Sequence, residues 1–193
     1  MSAFSKIGFN TFFIIILSSL LSGCFTAVVG GAAAGTVLAT DRRTSGIYIE
    51  DENIEIKASQ QIRKSLGEQA HINVTSYNLN VLLTGEAPTA EAKTEAEKIV
   101  RSIDNVKNIT NEVTIGVKSS LGNRAKDTYI TSKIKAKFLT EKNFAGNNVK
   151  IVTEAKTVYL MGIVTQQEAN LATEIARLTD GVEKVIKVFE YQN

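Results

Sequence analysis

The stretch Ile72-Asn-Val-Thr-Ser-Tyr-Asn-Leu-Asn-Val-Leu-Leu-Thr-Gly85 returns in pattern 77 residues later as Val149-Lys-Ile-Val-Thr-Glu-Ala-Lys-Thr-Val-Tyr-Leu-Met-Gly162. In both, apolar residues alternate with polar ones on either side of a polar centre, which is how two half-buried strands joined by a tight turn are written. Downstream, Thr89, Ala96, Ile99, Arg101, Asp104 and Val106 fall on Thr165, Ala172, Ile175, Arg177, Asp180 and Val182 at an offset of 76. Upstream, Ala58, Ile62 and Leu66 fall on Ile130, Ile134 and Phe138 at an offset of 72, with a longer loop from Leu139 to Asn148 taking up the difference. The chain therefore contains two copies of one small domain.

Each copy reads helix, strand, strand, helix, strand. The first helix has apolar residues four apart. The hairpin turn is expected at Tyr77-Asn78 and at Ala155-Lys156. Gly85 and Gly162 end the second strand, where a residue without Cβ marks a bulge or a close backbone approach. Thr89 and Thr165 are N-caps of the second helix, and Thr165 with Glu168 makes a capping box. The helix stops at Asp104-Asn105 and Asp180-Gly181, residues that tolerate left-handed backbone. The last strands run from Val106 to Val117 and from Val182 to Tyr191. The fold class is α+β, an αββαβ unit repeated, with a small mixed three-stranded sheet covered by two helices.

This unit resembles the BON domain. The resemblance rests on Gly85, Thr89, Ala96, Asn105-Val106 and Ile109, repeated as Gly162, Thr165, Ala172, Gly181-Val182 and Val185; Asn105 stands where the family usually has glycine. It divides the chain into residues 47–117 for the first domain, 118–125 for a linker and 126–193 for the second.

Ahead of the repeat, Lys6 precedes the apolar run Phe12-Phe13-Ile14-Ile15-Ile16-Leu17 and then Leu21-Ser22-Gly23-Cys24. A charge, a short apolar core and small residues make a secretory signal peptide over residues 1–23, too short to span a bilayer stably. Leu21 to Cys24 resembles the bacterial lipobox, which implies cleavage before Cys24 and acylation of its thiol and new amino group. Cys24 is the only cysteine, so no disulfide forms. Residues 24–46, with Gly30-Gly31 and Gly35, read as acylated cysteine and flexible tether. Phe25, where an inner-membrane protein of the enterobacterial scheme carries Asp, resembles an outer-membrane address. A lipobox followed by two BON domains resembles the dual BON-domain outer-membrane lipoproteins of Gram-negative bacteria. Anchorage on the periplasmic face and roles in envelope integrity and at the division site are what that resemblance implies.

The composition is nearly neutral as a whole and split in detail. Residues 47–117 hold 7 basic and 11 acidic residues, whereas residues 118–193 hold 12 basic and 8 acidic. The second half is thus the one to face an acidic partner. The catalytic inventory is thin. His71, the one histidine, is expected in a loop before a strand without a chemical role. No metal site or cofactor is expected, the acids Glu91, Glu95 and Glu97 read as a solvated helix face, and no enzyme is expected.

The first helix of the second copy is where binding is expected. Tyr129, Lys133, Ala136 and Thr140 share an outward face flanked by Lys126 and Lys137, and an aromatic among lysines suits an anionic headgroup region. In the family it resembles, the second BON domain contacts anionic phospholipid through this helix, a role that falls by position on Tyr129, Lys133, Ala136 and Lys137. Leu139 and Phe144 have two readings, insertion beside this face or packing in the core, and core packing is expected of each. The alternative is an adaptor whose acidic first domain docks an envelope assembly or peptidoglycan-remodelling protein. No nucleic-acid partner is expected.

Overall fold

The computed structural model describes residues 41–142 and 144–192. The signal peptide, Cys24 and the tether up to residue 40 lie outside the described residues.

The first domain comprises α1 (Ser45–Leu66), β1 (His71–Tyr77), β2 (Asn80–Ala87), α2 (Ala90–Arg101), β3 (Asn108–Asn111) and β4 (Thr114–Ile115). The second comprises α3 (Leu121–Thr140), β5 (Val149–Glu154), β6 (Thr157–Val164), α4 (Gln166–Arg177) and β7 (Lys184–Tyr191). In each sheet the long central strand pairs antiparallel with its hairpin neighbour and parallel with the last strand, since a helix crosses over between them. The αββαβ reading stands, with one difference. The last strand of the first domain is broken into β3 and β4, making four strands, because Val113 turns into the core between them.

Both first helices begin ahead of the domain bounds at 47 and 126 drawn from the sequence. Thr44 caps α1, its hydroxyl accepting from the Ile47 amide, and Ser120 caps α3 by the same bond from Asn123. Residues 41–46 are therefore not all tether. Arg43 pairs with Asp41 and with Asp51 at 2.7 and 2.8 Å, and its guanidinium lies 4.0 Å over the Tyr77 ring.

The helix register also corrects the repeat. The buried residues are Asp51, Ile54, Ala58 and Ile62 on α1 and Asp127, Ile130, Ile134 and Phe138 on α3. The copies thus superpose at an offset of 76, not 72, and Ala58 corresponds to Ile134. A slip of four residues is one helical turn and leaves an apolar stripe almost unchanged, so hydrophobic spacing alone cannot detect it. The buried aspartates break the ambiguity. The hairpin turns are Asn78-Leu79, one residue beyond the expected Tyr77-Asn78, and Ala155-Lys156, all four at positive φ. Such turns match the twist of the strands but strain non-glycine residues. Asp51 accepts from the Asn78 and Leu79 amides, each at 2.8 Å, and Asp127 from Ala155 and Lys156 at 3.0 and 2.9 Å. One carboxylate in each domain holds a strained turn against its helix.

A Cβ on Gly85 would stand 1.9 Å from the His71 carbonyl oxygen, and one on Gly162 would stand 2.3 Å from that of Asn148. Each glycine lets the hairpin strands approach where no side chain fits. Asn105 reaches the left-handed region that Gly181 occupies in the second domain, and its side-chain amide donates to Glu50 at 3.0 Å.

Each domain buries one face of its sheet under two helices, giving separate cores around Leu83 and Val100 and around Ile134 and Leu160. The opposite sheet faces pack on each other through Tyr77, Leu82, Tyr159 and Met161, with Val152, Ile163, Ile186 and Val188 around them. The result is four layers: helices, sheet, sheet, helices. Polar contacts rim this seam. Arg42 makes a bidentate pair with Glu168 at 2.7 and 2.8 Å, Lys150 meets Glu55 at 2.7 Å, and Asn78 donates to Glu190 at 2.7 Å.

Candidate functional site

α3 occupies the outer layer of the second domain. At 100° per residue its buried positions, Asp127, Ile130, Ile134 and Phe138, span about 80° of arc. Diametrically opposite runs an exposed stripe of Leu121, Ala125, Tyr129, Ser132, Ala136 and Leu139. Its three large apolar residues are 79%, 65% and 77% exposed in the order Leu121, Tyr129, Leu139. Lys126, Lys133 and Lys137 line one side of the stripe and Lys135 the other.

Of the expected residues, Tyr129, Lys126, Ala136 and Lys137 are exposed and Lys133 is half-buried. Two of the lysines also do something else. The Lys133 ammonium donates to the Asp180 carbonyl and that of Lys137 to the Leu178 carbonyl at 3.1 Å. Both groups sit beyond the end of α4, where unpaired carbonyls and the helix dipole favour cations. Lys133 also lies 5.1 Å from the Tyr129 ring centroid, a cation–π distance. These lysines bind α3 to α4 before they meet any ligand. The expectation for Leu139 is overturned, since it stands in solvent. Phe144 does pack in the core, edge-on to Phe138 at 4.7 Å.

The signal for Leu121 and Leu139 was available: both fall on the tyrosine's side of the helical wheel. Leu121 was hidden because the linker was drawn to residue 125, past the true start of the helix, and Leu139 because the outward face was centred on Tyr129, Lys133, Ala136 and Thr140.

A second cluster lies on the seam. His71 is the first residue of β1, not a loop residue, and is the register partner of Glu86 on β2. Glu154 comes from the end of β5 in the other domain. A nitrogen of His71 and carboxylate oxygens of Glu86 and Glu154 lie within 4.8 Å of one another. Burial pushes Glu154 up to about 7 against a lowering hydrogen bond from Asn73, and the charges of Glu86 and Asp127 add to the rise. Burial and the charge of Arg124 hold His71 below its ordinary value, so its imidazole is neutral at neutral pH. Among the described residues, no helix is long and apolar enough to cross a membrane.

Four layers built from two αββαβ units, each with a glycine-pinched hairpin, define the class: residues 50–117 and 126–193 each match the BON domain, and the chain belongs to the BON-domain family. Among particular proteins, it is 38% identical over 173 residues to the outer membrane lipoprotein DolP of Haemophilus influenzae, spanning 89% of this chain and 90% of that one. It is also 38% identical over 153 residues to a 21 kDa hemolysin of Actinobacillus pleuropneumoniae, covering 78% of this chain and 79% of the other. With the osmotically-inducible protein Y of Escherichia coli it shares 26% identity over 161 residues, 79% of this chain and 78% of that protein.

Proposed function

We propose that this protein is a lipoprotein anchored through Cys24 to the periplasmic face of the outer membrane, and that its second BON domain binds anionic phospholipid through the exposed stripe of α3. It works without catalysis, supports envelope integrity and acts at the division site. The observation that carries the lipid reading is that Leu121, Tyr129 and Leu139 stand in solvent on one line, flanked by lysines and directly opposite the buried face. An apolar ridge between cations suits the boundary between headgroups and acyl chains, and each lysine near an anionic surface contributes roughly 1 kcal/mol. A domain already tethered to the bilayer needs little further affinity, because the second contact is intramolecular. The name of one relative, an outer membrane lipoprotein, supports the anchoring.

The test is co-sedimentation of residues 25–193 with vesicles of phosphatidylcholine alone and of phosphatidylcholine with phosphatidylglycerol, at two salt concentrations. Salt-sensitive binding to the anionic vesicles that is lost in Tyr129→Glu/Leu139→Glu supports the reading. Equal binding by that variant, or none by the unmodified protein at low salt, overturns it. Lys133→Glu/Lys137→Glu is the poorer probe, because it also strips two carbonyl partners from the end of α4.

The adaptor reading is favoured by Ile49 and Ile56, exposed one above the other on acidic α1. An envelope protein docking there would leave vesicle binding intact and be lost in Ile49→Glu/Ile56→Glu.

A further inference from the structure

The seam between the domains holds a set of side chains that sheet packing does not require. Tyr77 and Leu82 mark the face of the first sheet turned towards the second domain. By strand alternation that face also carries His71 and Asn73 from β1 and Thr84 and Glu86 from β2. Val152 marks the corresponding face of the second sheet, which carries Glu154 two residues on. His71, Glu86 and Glu154 bring one nitrogen and two carboxylates within 4.8 Å of one another, from both domains.

Glu86 and Glu154 are each only 8% exposed. Two carboxylates withdrawn from water side by side are unfavourable unless a cation offsets them. The donors that reach them are neutral: the Ser119 amide to Glu86 at 3.1 Å and the Asn73 amide to Glu154 at 2.8 Å. Among the described residues neither carboxylate has an ion-pair partner. Of the nearby cations, Arg124 favours ionised Glu154 by its charge but donates to the Ser119 carbonyl at 3.1 Å, and Lys118 pairs with Glu68. A second, independent observation comes from Thr84, which sits on this face between Leu82 and Glu86 and across the ladder from Asn73. It is 1% exposed, yet among the described residues its hydroxyl has no hydrogen-bond partner. Buried hydroxyls normally have one, and metal-bound solvent would supply it. A cleft of about 620 Å³ lined by His71, Asn73, Arg124 and Val152 reaches the histidine of the cluster from solvent.

We propose that His71, Glu86 and Glu154 form a divalent metal site of the zinc type that clamps the two BON domains together. One imidazole and two carboxylates suit Zn2+, which accepts nitrogen and oxygen ligands in fourfold coordination. Ca2+ asks for six or more oxygens and Mg2+ for a near-octahedral oxygen shell. Three protein ligands leave a fourth position to solvent. Because Glu154 comes from one domain and His71 and Glu86 from the other, binding stiffens the seam.

The test uses the full, untagged chain in detergent, stripped with chelator and titrated calorimetrically with ZnCl2, MgCl2 and CaCl2. One equivalent of Zn2+ per chain is expected, with Mg2+ and Ca2+ far weaker. His71→Ala and Glu154→Gln should each weaken Zn2+ binding at least about tenfold. Zinc should raise the unfolding midpoint of the unmodified chain and not of either variant. His71 is the only histidine, so its imidazole NMR signals report the site directly and should shift on addition of one equivalent. No saturable binding at millimolar Zn2+, an unshifted imidazole, or undiminished affinity in His71→Ala would overturn the proposal. That last variant lies at a strand end and half in solvent, so it decides the matter even if Glu154→Gln does not fold.

Discussion

α1 and α3 are the same helix built twice, and their inner and outer faces have had different fates. Inward, Asp51, Ile54, Ala58 and Ile62 match Asp127, Ile130, Ile134 and Phe138 in position and role. Outward, the line that reads Ala125, Tyr129, Ser132, Ala136 and Leu139 on α3 reads Ile49, Asn53, Ile56, Gln60 and Arg63 on α1, and the flanking Lys126, Lys133 and Lys137 become Glu50, Lys57 and Gln61. The fold constrains only the side chains it buries. The copies differ on their outer surfaces: α3 sets Lys126, Lys133 and Lys137 beside Tyr129 and Leu139, where α1 sets Glu50, Lys57 and Gln61 beside Ile49 and Ile56.

The comparison can be broken at several levels. The largest effect is expected at the hairpins the domains have in common. Gly85→Ala and Gly162→Ala each drive a methyl into a carbonyl oxygen, and each should lose about 4 kcal/mol or more of stability by urea unfolding. Near-normal stability would mean that the strands can part there at little cost.

Next come the aspartates. Asp51 accepts from two turn amides and the Ser76 hydroxyl and pairs with Arg43, whereas Asp127 is recorded with the two turn amides. Asp51→Ala should therefore cost about 3 kcal/mol and Asp127→Ala about 2, the strained turns relaxing in both. The reverse order would show that the Arg43 contacts add nothing.

The outer faces should differ in function and not in stability. Tyr129→Ala/Leu139→Ala should weaken binding to anionic vesicles by about a hundredfold, with unfolding unchanged, since each loses roughly 1.4 kcal/mol of the transfer energy of an inserted side chain, about tenfold apiece. Ile49→Ala/Ile56→Ala should leave vesicle binding alone. Equal losses would make the two helices equivalent and refute the division of labour.

The smallest effect concerns the seam. The hydrogen bond from Arg42 holds Glu168 below its ordinary value of 4.5, against the opposing effect of burial. A depressed carboxylate stabilises the fold above its unfolded pKa, and that stability is lost as pH falls through the folded value. The unmodified chain should thus lose about 1 kcal/mol more than Arg42→Ala on acidification from pH 5 to pH 3. Parallel acid limbs would show that the pair contributes nothing.

Much of this was legible in the chain. The alternation in Ile72–Gly85 and Val149–Gly162, the threonine caps and the helix stops are local features, read from a few neighbouring residues. The register of α1 on α3 was not, because a one-turn slip preserves an apolar stripe. The buried aspartates that fix it resemble any solvated acid until their turn partners are in place. Tyr129, Ala136 and Lys126 were found on the surface where they were sought. The bonds of Lys133 and Lys137 to carbonyls beyond α4 reach 47 and 41 residues along the sequence, which helical spacing does not show.

By itself, then, the sequence determined the two αββαβ units, their hairpin glycines and the charge difference between them, because alternation, capping and composition act over one or two turns of chain. Tertiary structure alone decided that the two sheets meet back to back, that Lys133 and Lys137 bond to carbonyls beyond α4, and that His71 meets a glutamate from the other domain. Those outcomes depend on which apolar faces find each other, and an exposed strand face of one copy carries no mark of its partner until both are folded.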